Sequence, residues 1–215
     1  MLTISQSPTN QTQQVENKVL LSNISWSTYE SLLLDLANKS NFRLTYDHGK
    51  LEIMSPQSEH ERIKHLLELI IELIGLELNV DIECFGSTTF KRADLARGFE
   101  PDSCFYISKE PQIKDKTNID LASEPAPDLV IEVDITSPSL DKFPIYAQIG
   151  VAEIWRYNGN SLAFYLLSGD NYLASNNSLA FPFLTSQVIT SFLDQSKVSK
   201  KTSLLKSFSN WLKQQ

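Results

Sequence analysis

Residues 126–139 read Ala126-Pro127-Asp128-Leu129-Val130-Ile131-Glu132-Val133-Asp134-Ile135-Thr136-Ser137-Pro138-Ser139. Within a strand expected over Asp128–Thr136, the run Leu129–Val133 is apolar enough to be a central strand buried on both faces. Glu132 interrupts it. A carboxylate in such a run is costly unless it is paired or bound to a cation; its ordinary reading is a salt-bridged or edge-exposed strand residue. Glu132 and Asp134 are two apart and therefore share a face, about 7 Å from each other along the strand. Asp128 shares that face but lies about 13 Å from Glu132, too far for one ion, so it reads as the entry to the strand.

Upstream, Gly98–Ile107 is the preceding strand and carries Glu100-Pro101-Asp102. If the two strands are neighbours, about 4.8 Å apart, Asp102 and Glu132 converge on one cation at a sheet edge. Oxygen-only ligation of this kind suits Mg2+ or Mn2+ and not zinc. A further strand is expected over Asp81–Arg92, and Ser58–Ile74 is the clearest helix. There Ser58 and Glu61 form a capping box, Ile63, Leu66, Leu67, Ile70 and Ile74 keep helical spacing, and Gly75 stands as the stop. A first helix is expected from Ser27, capped with Glu30, to about Asn38. Phe42–Tyr46 and Leu51–Met54 form a hairpin across Asp47-His48-Gly49. Downstream, a short helix starts near Phe143 and ends at Gly150, Glu153–Tyr157 and Ser161–Ser168 pair across Asn158-Gly159, and a last amphipathic helix spans about Ser203–Leu212. The sum is a mixed α/β (α+β) sheet with helices packed on it, in one domain over residues 19–215. Residues 1–18, polar and without an aromatic side chain, read as a disordered arm.

The chain has 215 residues, 19 basic and 26 acidic, for a net charge of −7. The excess of acid argues against a generic nucleic-acid-binding surface. The charge is uneven: residues 186–215 hold five lysines and one aspartate, a net of +4, and the other 185 residues carry −11. No apolar run approaches the length of a membrane span, and no basic region followed by an apolar stretch opens the chain, so the expected setting is the cytoplasm. Cys84 and Cys104 are expected as buried free thiols rather than a bridge. His60 and His65 lie about 140° apart on their helix and cannot share a metal, and His48 reads as a turn residue. Tyr146 and Trp155 read as core rather than base-stacking platforms.

Several of these segments together resemble the Uma-type restriction endonucleases, a branch of the PD-(D/E)XK nuclease superfamily. The resemblance covers roughly Ser27–Tyr157. It rests on Met54-Ser55-Pro56 before His60 at a helix opening, on Glu100-Pro101-Asp102, and on Pro127-Asp128-Leu129-Val130-Ile131-Glu132-Val133. It continues through Ser137-Pro138-Ser139, Lys142 with Tyr146 four residues on, and Gly150-Val151 before Glu153-Ile154-Trp155. The resemblance implies a restriction-endonuclease-like α-β-β-β-α-β core, with Asp102 as the motif aspartate, Glu132 as the (D/E)XK glutamate and His60 as the helix-opening histidine near phosphate or water. Asp134 stands where the superfamily has its lysine. Lys142 is the candidate to replace it, with Lys91 as second choice.

The leading expectation is therefore a Mg2+- or Mn2+-dependent DNA endonuclease working as a homodimer, without an organic cofactor. Asp102 and Glu132, with Asp134, would hold the metal, and Lys142 and His60 would join them in the catalytic set. The alternative is a catalytically inactive nuclease-fold domain that binds nucleic acid or protein. A third reading takes the paired acids as a glycosidase's acid and base.

Overall fold

The computed structural model describes residues 17–37, 42–135 and 140–215. The run Leu129–Val133 forms β8, every residue of which is buried. It lies inside a six-stranded mixed sheet of order β11-β10-β9-β8-β7-β4. The strands are β4 (Glu83–Cys84), β7 (Ser103–Tyr106), β8, β9 (Glu153–Tyr157), β10 (Leu162–Ser168) and β11 (Asn171–Ser175). Only the β8–β9 pair is parallel. The crossover between those two strands carries α4 (Phe143–Ile149), with Pro144 in its first turn and Gly150 at φ 89° as its cap. Taken in order, α2 (Ser58–Leu78), β4, β7, β8, α4 and β9 reproduce the α-β-β-β-α-β succession.

A second, antiparallel sheet has the order β1-β3-β2-β6-β5. It contains β1 (Asn17–Leu21), β2 (Arg43–Asp47), β3 (Lys50–Ser55), β5 (Phe90–Arg92) and β6 (Arg97–Phe99). The expected β2–β3 hairpin is present, with His48 and Gly49 both at positive φ in a two-residue turn. Asn17 and Lys18 pair with Ser55 and Met54 and so belong to this sheet rather than to the arm; residues 1–16 lie outside the described residues.

Alternation along β8 and β9 divides the core. Leu129, Ile131, Val133, Trp155 and Tyr157 pack with α2, α5 (Ser186–Ser196) and α6 (Lys201–Leu212). Val130 and Ile154 face the other way, toward Tyr146 of α4 and toward Phe90 and Phe99 of the second sheet. Cys84 packs against the first cluster and Cys104 belongs to the second, and both are free thiols.

Several boundaries differ from the sequence reading. The cap of α1 (Trp26–Leu36) is Ser25, whose Oγ accepts from Thr28 N at 3.1 Å, not Ser27. For α2 the cap residue is Gln57, which makes no side-chain cap bond, and the Glu61 carboxylate pairs with Lys64 and Arg43. The same helix runs through Gly75 to Leu78 and ends on Asn79 in the left-handed region. Gly75 is required by packing: a Cβ there would lie 2.9 Å from Val80 O. The two upstream strands are each split between the sheets: β4/β5 part over residues 85–89, and β6/β7 part at Glu100-Pro101-Asp102, where Pro101 has no N–H to continue a ladder. The strands β1 and β11, the helix α5 and the short α3 (Glu110–Ile113) had no distinct signal.

The amphipathic tail docks on the body as α6. Phe208 is fully buried, edge-on to Phe192 at 5.0 Å, and the Lys213 ammonium approaches Glu77 of α2 at 3.5 Å. Phe208→Ala should cost about 3–5 kcal/mol, the usual loss for a core aromatic. Urea denaturation checks this; an unchanged midpoint would mean that the helix is not part of the cooperative core.

Candidate functional site

Extending the β7–β8 register by one residue, from Ser103 opposite Ile131, puts Asp102 opposite Glu132. On the other side, the parallel register places Arg156 beside Glu132. Asp102, Glu132 and Arg156 thus stand in a row across β7, β8 and β9, beside a cavity of about 380 Å3 that all three line. The second sheet contributes Glu52 and Met54 to its wall, and the β8–α4 connection contributes Leu140, Asp141 and Lys142.

Asp102 is almost fully buried. Its Oδ2 accepts from Val133 N at 2.7 Å and from His60 Nε2 at 3.0 Å. Its Oδ1 is buried, and among the described residues nothing donates to it. Burial alone would raise the Asp102 pKa, but the His60 hydrogen bond and charge, the Lys142 ammonium and the Val133 N–H together hold it down at about 2. His60 is completely buried, so it acts on Asp102 from beneath and not at the surface.

Glu132 is 3% exposed and has both oxygens engaged: Oε2 accepts from Lys142 Nζ at 2.8 Å and Oε1 from the Tyr146 hydroxyl. Burial pushes its pKa up to about 7 despite Lys142, and the Asp102 and Asp134 charges push the same way. Burial would lower the Lys142 pKa, but the carboxylates of Glu132 and Asp102 outweigh it and hold the ammonium charged. Lys142 thus lies against Glu132, and Tyr146, one helical turn on, secures the same carboxylate. Lys91 does not reach this cavity; it is half exposed and pairs with Glu30 at 2.8 Å.

The remaining acids have other partners. Asp134 Oδ2 accepts from Arg156 Nε at 2.7 Å and Oδ1 lies 3.9 Å from Lys18 Nζ. Glu100 accepts from Leu44 N and the Thr89 hydroxyl and lines a different groove. Asp128 accepts from Ile107 N, Lys109 N and the Ser108 hydroxyl, pinning the strand entry as its position suggested. Among the described residues, no group of three or more His, Cys, Asp or Glu side chains is arranged to hold a metal ion. Among the cavity residues that escaped the sequence reading, two matter most. Arg156 enters through the parallel register, which no local pattern reveals. Glu52, whose Oε2 accepts from Leu140 N at 3.1 Å, comes from the other sheet.

The chain belongs to the Uma2 family: the model described as "Uma2: Putative restriction endonuclease" matches residues 26–192. Among solved structures it is similar to one described as a "putative nuclease belonging to DUF820" from Anabaena variabilis ATCC 29413. That likeness has 18% identity and a TM-score of 0.45, and it covers 69% of this chain and 89% of the other. Comparison with curated proteins finds no match. No helix among the described residues is long and apolar enough to cross a membrane.

The raised Glu132 pKa has a consequence for stability. The folded chain keeps this proton up to about pH 7, whereas an unfolded glutamate releases it near 4.5. The folded state binds more protons between those values, so stability falls as pH rises through that window. Urea denaturation of metal-free protein from pH 5 to 8 should show a greater loss for wild type than for Glu132→Gln. Parallel curves would contradict the assignment.

Proposed function

We propose that this chain is a divalent-cation-dependent nuclease that hydrolyses DNA phosphodiester bonds in the cavity formed by Asp102, Glu132 and Lys142. The observation that carries the reading is Asp102 Oδ1, a buried carboxylate oxygen to which nothing among the described residues donates, on a residue that lines the cavity. Leaving such an oxygen unsatisfied costs about 1–3 kcal/mol or more, and a cation relieves that cost. Mg2+ suits the residues present, because it is commonly held by one or two carboxylates and completes its shell with water and substrate phosphate. Asp102 and Glu132 would hold it; Asp134 is left out because Arg156 engages it. When bound, the cation would supply positive charge to the scissile phosphate and lower the pKa of a water.

The chain's own groups supply the rest. His60 and the Val133 N–H fix Asp102 Oδ2 and leave Oδ1 for the ligand. Tyr146 holds Glu132 Oε1 in place while Lys142 Nζ, on Oε2, is within reach of the cavity. Lys142 would move its hydrogen bond from Glu132 to a phosphate oxygen or the attacking water, offsetting the charge that develops there. The proposed working form is a homodimer, which would bring together the basic α6 tails, packed on the face of the sheet opposite the cavity, to supply the positive surface that the acidic body lacks.

A second reading, a nuclease-fold domain without catalysis, is favoured by one feature. Both Glu132 oxygens are already satisfied without a cation. Calorimetry with Mn2+ separates the two, since the second reading predicts no saturable binding. In the first, wild type nicks supercoiled DNA in Mg2+, and Asp102→Asn or Glu132→Gln abolishes both cleavage and Mn2+ binding. Lys142→Ala should keep Mn2+ binding and lose about 10²–10⁴-fold in single-turnover rate, the scale of one positioned proton-transfer group. Intact Mn2+ binding in Glu132→Gln would contradict the site as drawn.

A further inference from the structure

Arg156 is the remaining member of the row, and its partners leave much of it unused. Its Nε donates to Asp134 Oδ2 at 2.7 Å, and its guanidinium carbon sits 5.5 Å from the centre of the Phe143 ring. These two contacts fix the plane of the group. Among the described residues, Nη1 and Nη2 donate to nothing, and the side chain is 29% exposed at the cavity wall. An ion pair built only for stability would use the guanidinium fork on the carboxylate in a bidentate way. Here the fork is left open, one strand over from Glu132. Lys142, by contrast, already donates to Glu132.

We propose that Arg156, held by Asp134 and Phe143, is a phosphate-binding subsite that grips non-bridging oxygens of a DNA phosphodiester at the mouth of the cavity. The planar pair of N–H-bearing nitrogens matches two phosphate oxygens, which a lysine's point charge does not. This gives the Asp134 substitution a role. The carboxylate at the motif-lysine position orients an arginine that brings positive charge to the substrate from the neighbouring strand. The inference rests on the nuclease reading for its substrate, but it concerns binding and not cleavage.

Fluorescence anisotropy with two labelled DNA duplexes of unrelated sequence, in EDTA and across a salt series, tests it. Arg156→Ala should weaken binding on the order of tenfold for both duplexes, the worth of one charged hydrogen-bonding group. It should also lower the slope of log affinity against log salt by about one. Arg156→Lys should keep the slope and still lose roughly threefold, because the charge remains and the fork is gone. Mn2+ calorimetry should still show saturable binding in both variants, unchanged in Arg156→Lys and no weaker in Arg156→Ala, where Asp134 loses its partner, and thermal melting verifies that each is folded. If Arg156→Ala does not fold, wild-type affinity in Arg156→Lys overturns the proposal. Wild-type affinity and slope in Arg156→Ala overturn the subsite and leave the nuclease reading standing. Weakened binding in Arg156→Ala, together with no cleavage by wild type in Mg2+, upholds the subsite and removes the nuclease reading. No binding of either duplex by wild type at low salt overturns both.

Discussion

A carboxyl group in the middle of the most buried strand has to be neutralised, and much of the architecture follows from how that is done. Glu132 sits in β8 with every neighbour along the strand buried. Lys142 and Tyr146 reach it from the N-terminal end and first turns of α4, so that helix is fixed over the sheet by polar contacts as well as by Ile145 and Tyr146 packing. The Lys142 loop is in turn tied to the second sheet through Leu140 N and Glu52. A buried ion pair contributes little net stability against an apolar replacement, but losing one partner is costly. Such a pair is better explained as a device that fixes geometry than as a source of stability.

The chemistry of the cavity comes from an asymmetry between two facing acids. Asp102 is held ionised by His60 and a backbone N–H, whereas Glu132 is pushed toward neutrality by burial and drawn back by Lys142. Asp102 keeps one oxygen open and Glu132 keeps none. Cation binding would therefore have to displace Lys142 from Glu132, which leaves the ammonium free for phosphate. Two basic groups flank these acids: Lys142 reaches Glu132 from the following segment, and Arg156 on the neighbouring strand donates to Asp134.

Much of this was legible in the sequence because it depends on local spacing. The apolar run with Glu132 at its centre, the Asn158-Gly159 turn and the i,i+4 pair Lys142/Tyr146 carry their geometry in the chain itself. The splits of the upstream strands, over residues 85–89 and at Pro101, were not legible, because residues on either side of each look equally strand-like and only the second sheet explains why they part. Gly75 misled for a related reason: glycine reads as a stop, but here it serves a close approach by Val80. Arg156 and Glu52 are products of tertiary register, one from parallel pairing and one from the opposite sheet. His60 was placed on the right helix, yet its complete burial against Asp102 depends on how that helix packs.

A double-mutant cycle on Lys142 and Glu132, read by urea denaturation of metal-free protein at pH 8, tests the central claim most directly. Lys142→Met alone should cost about 3–5 kcal/mol, because Glu132 loses its buried partner and must take up a proton at pH 8 that the unfolded chain releases. Adding Glu132→Gln should recover most of that loss, giving a large coupling between the two sites. Additive costs, with no recovery in the double variant, would contradict the account that this pair fixes the geometry of the cavity.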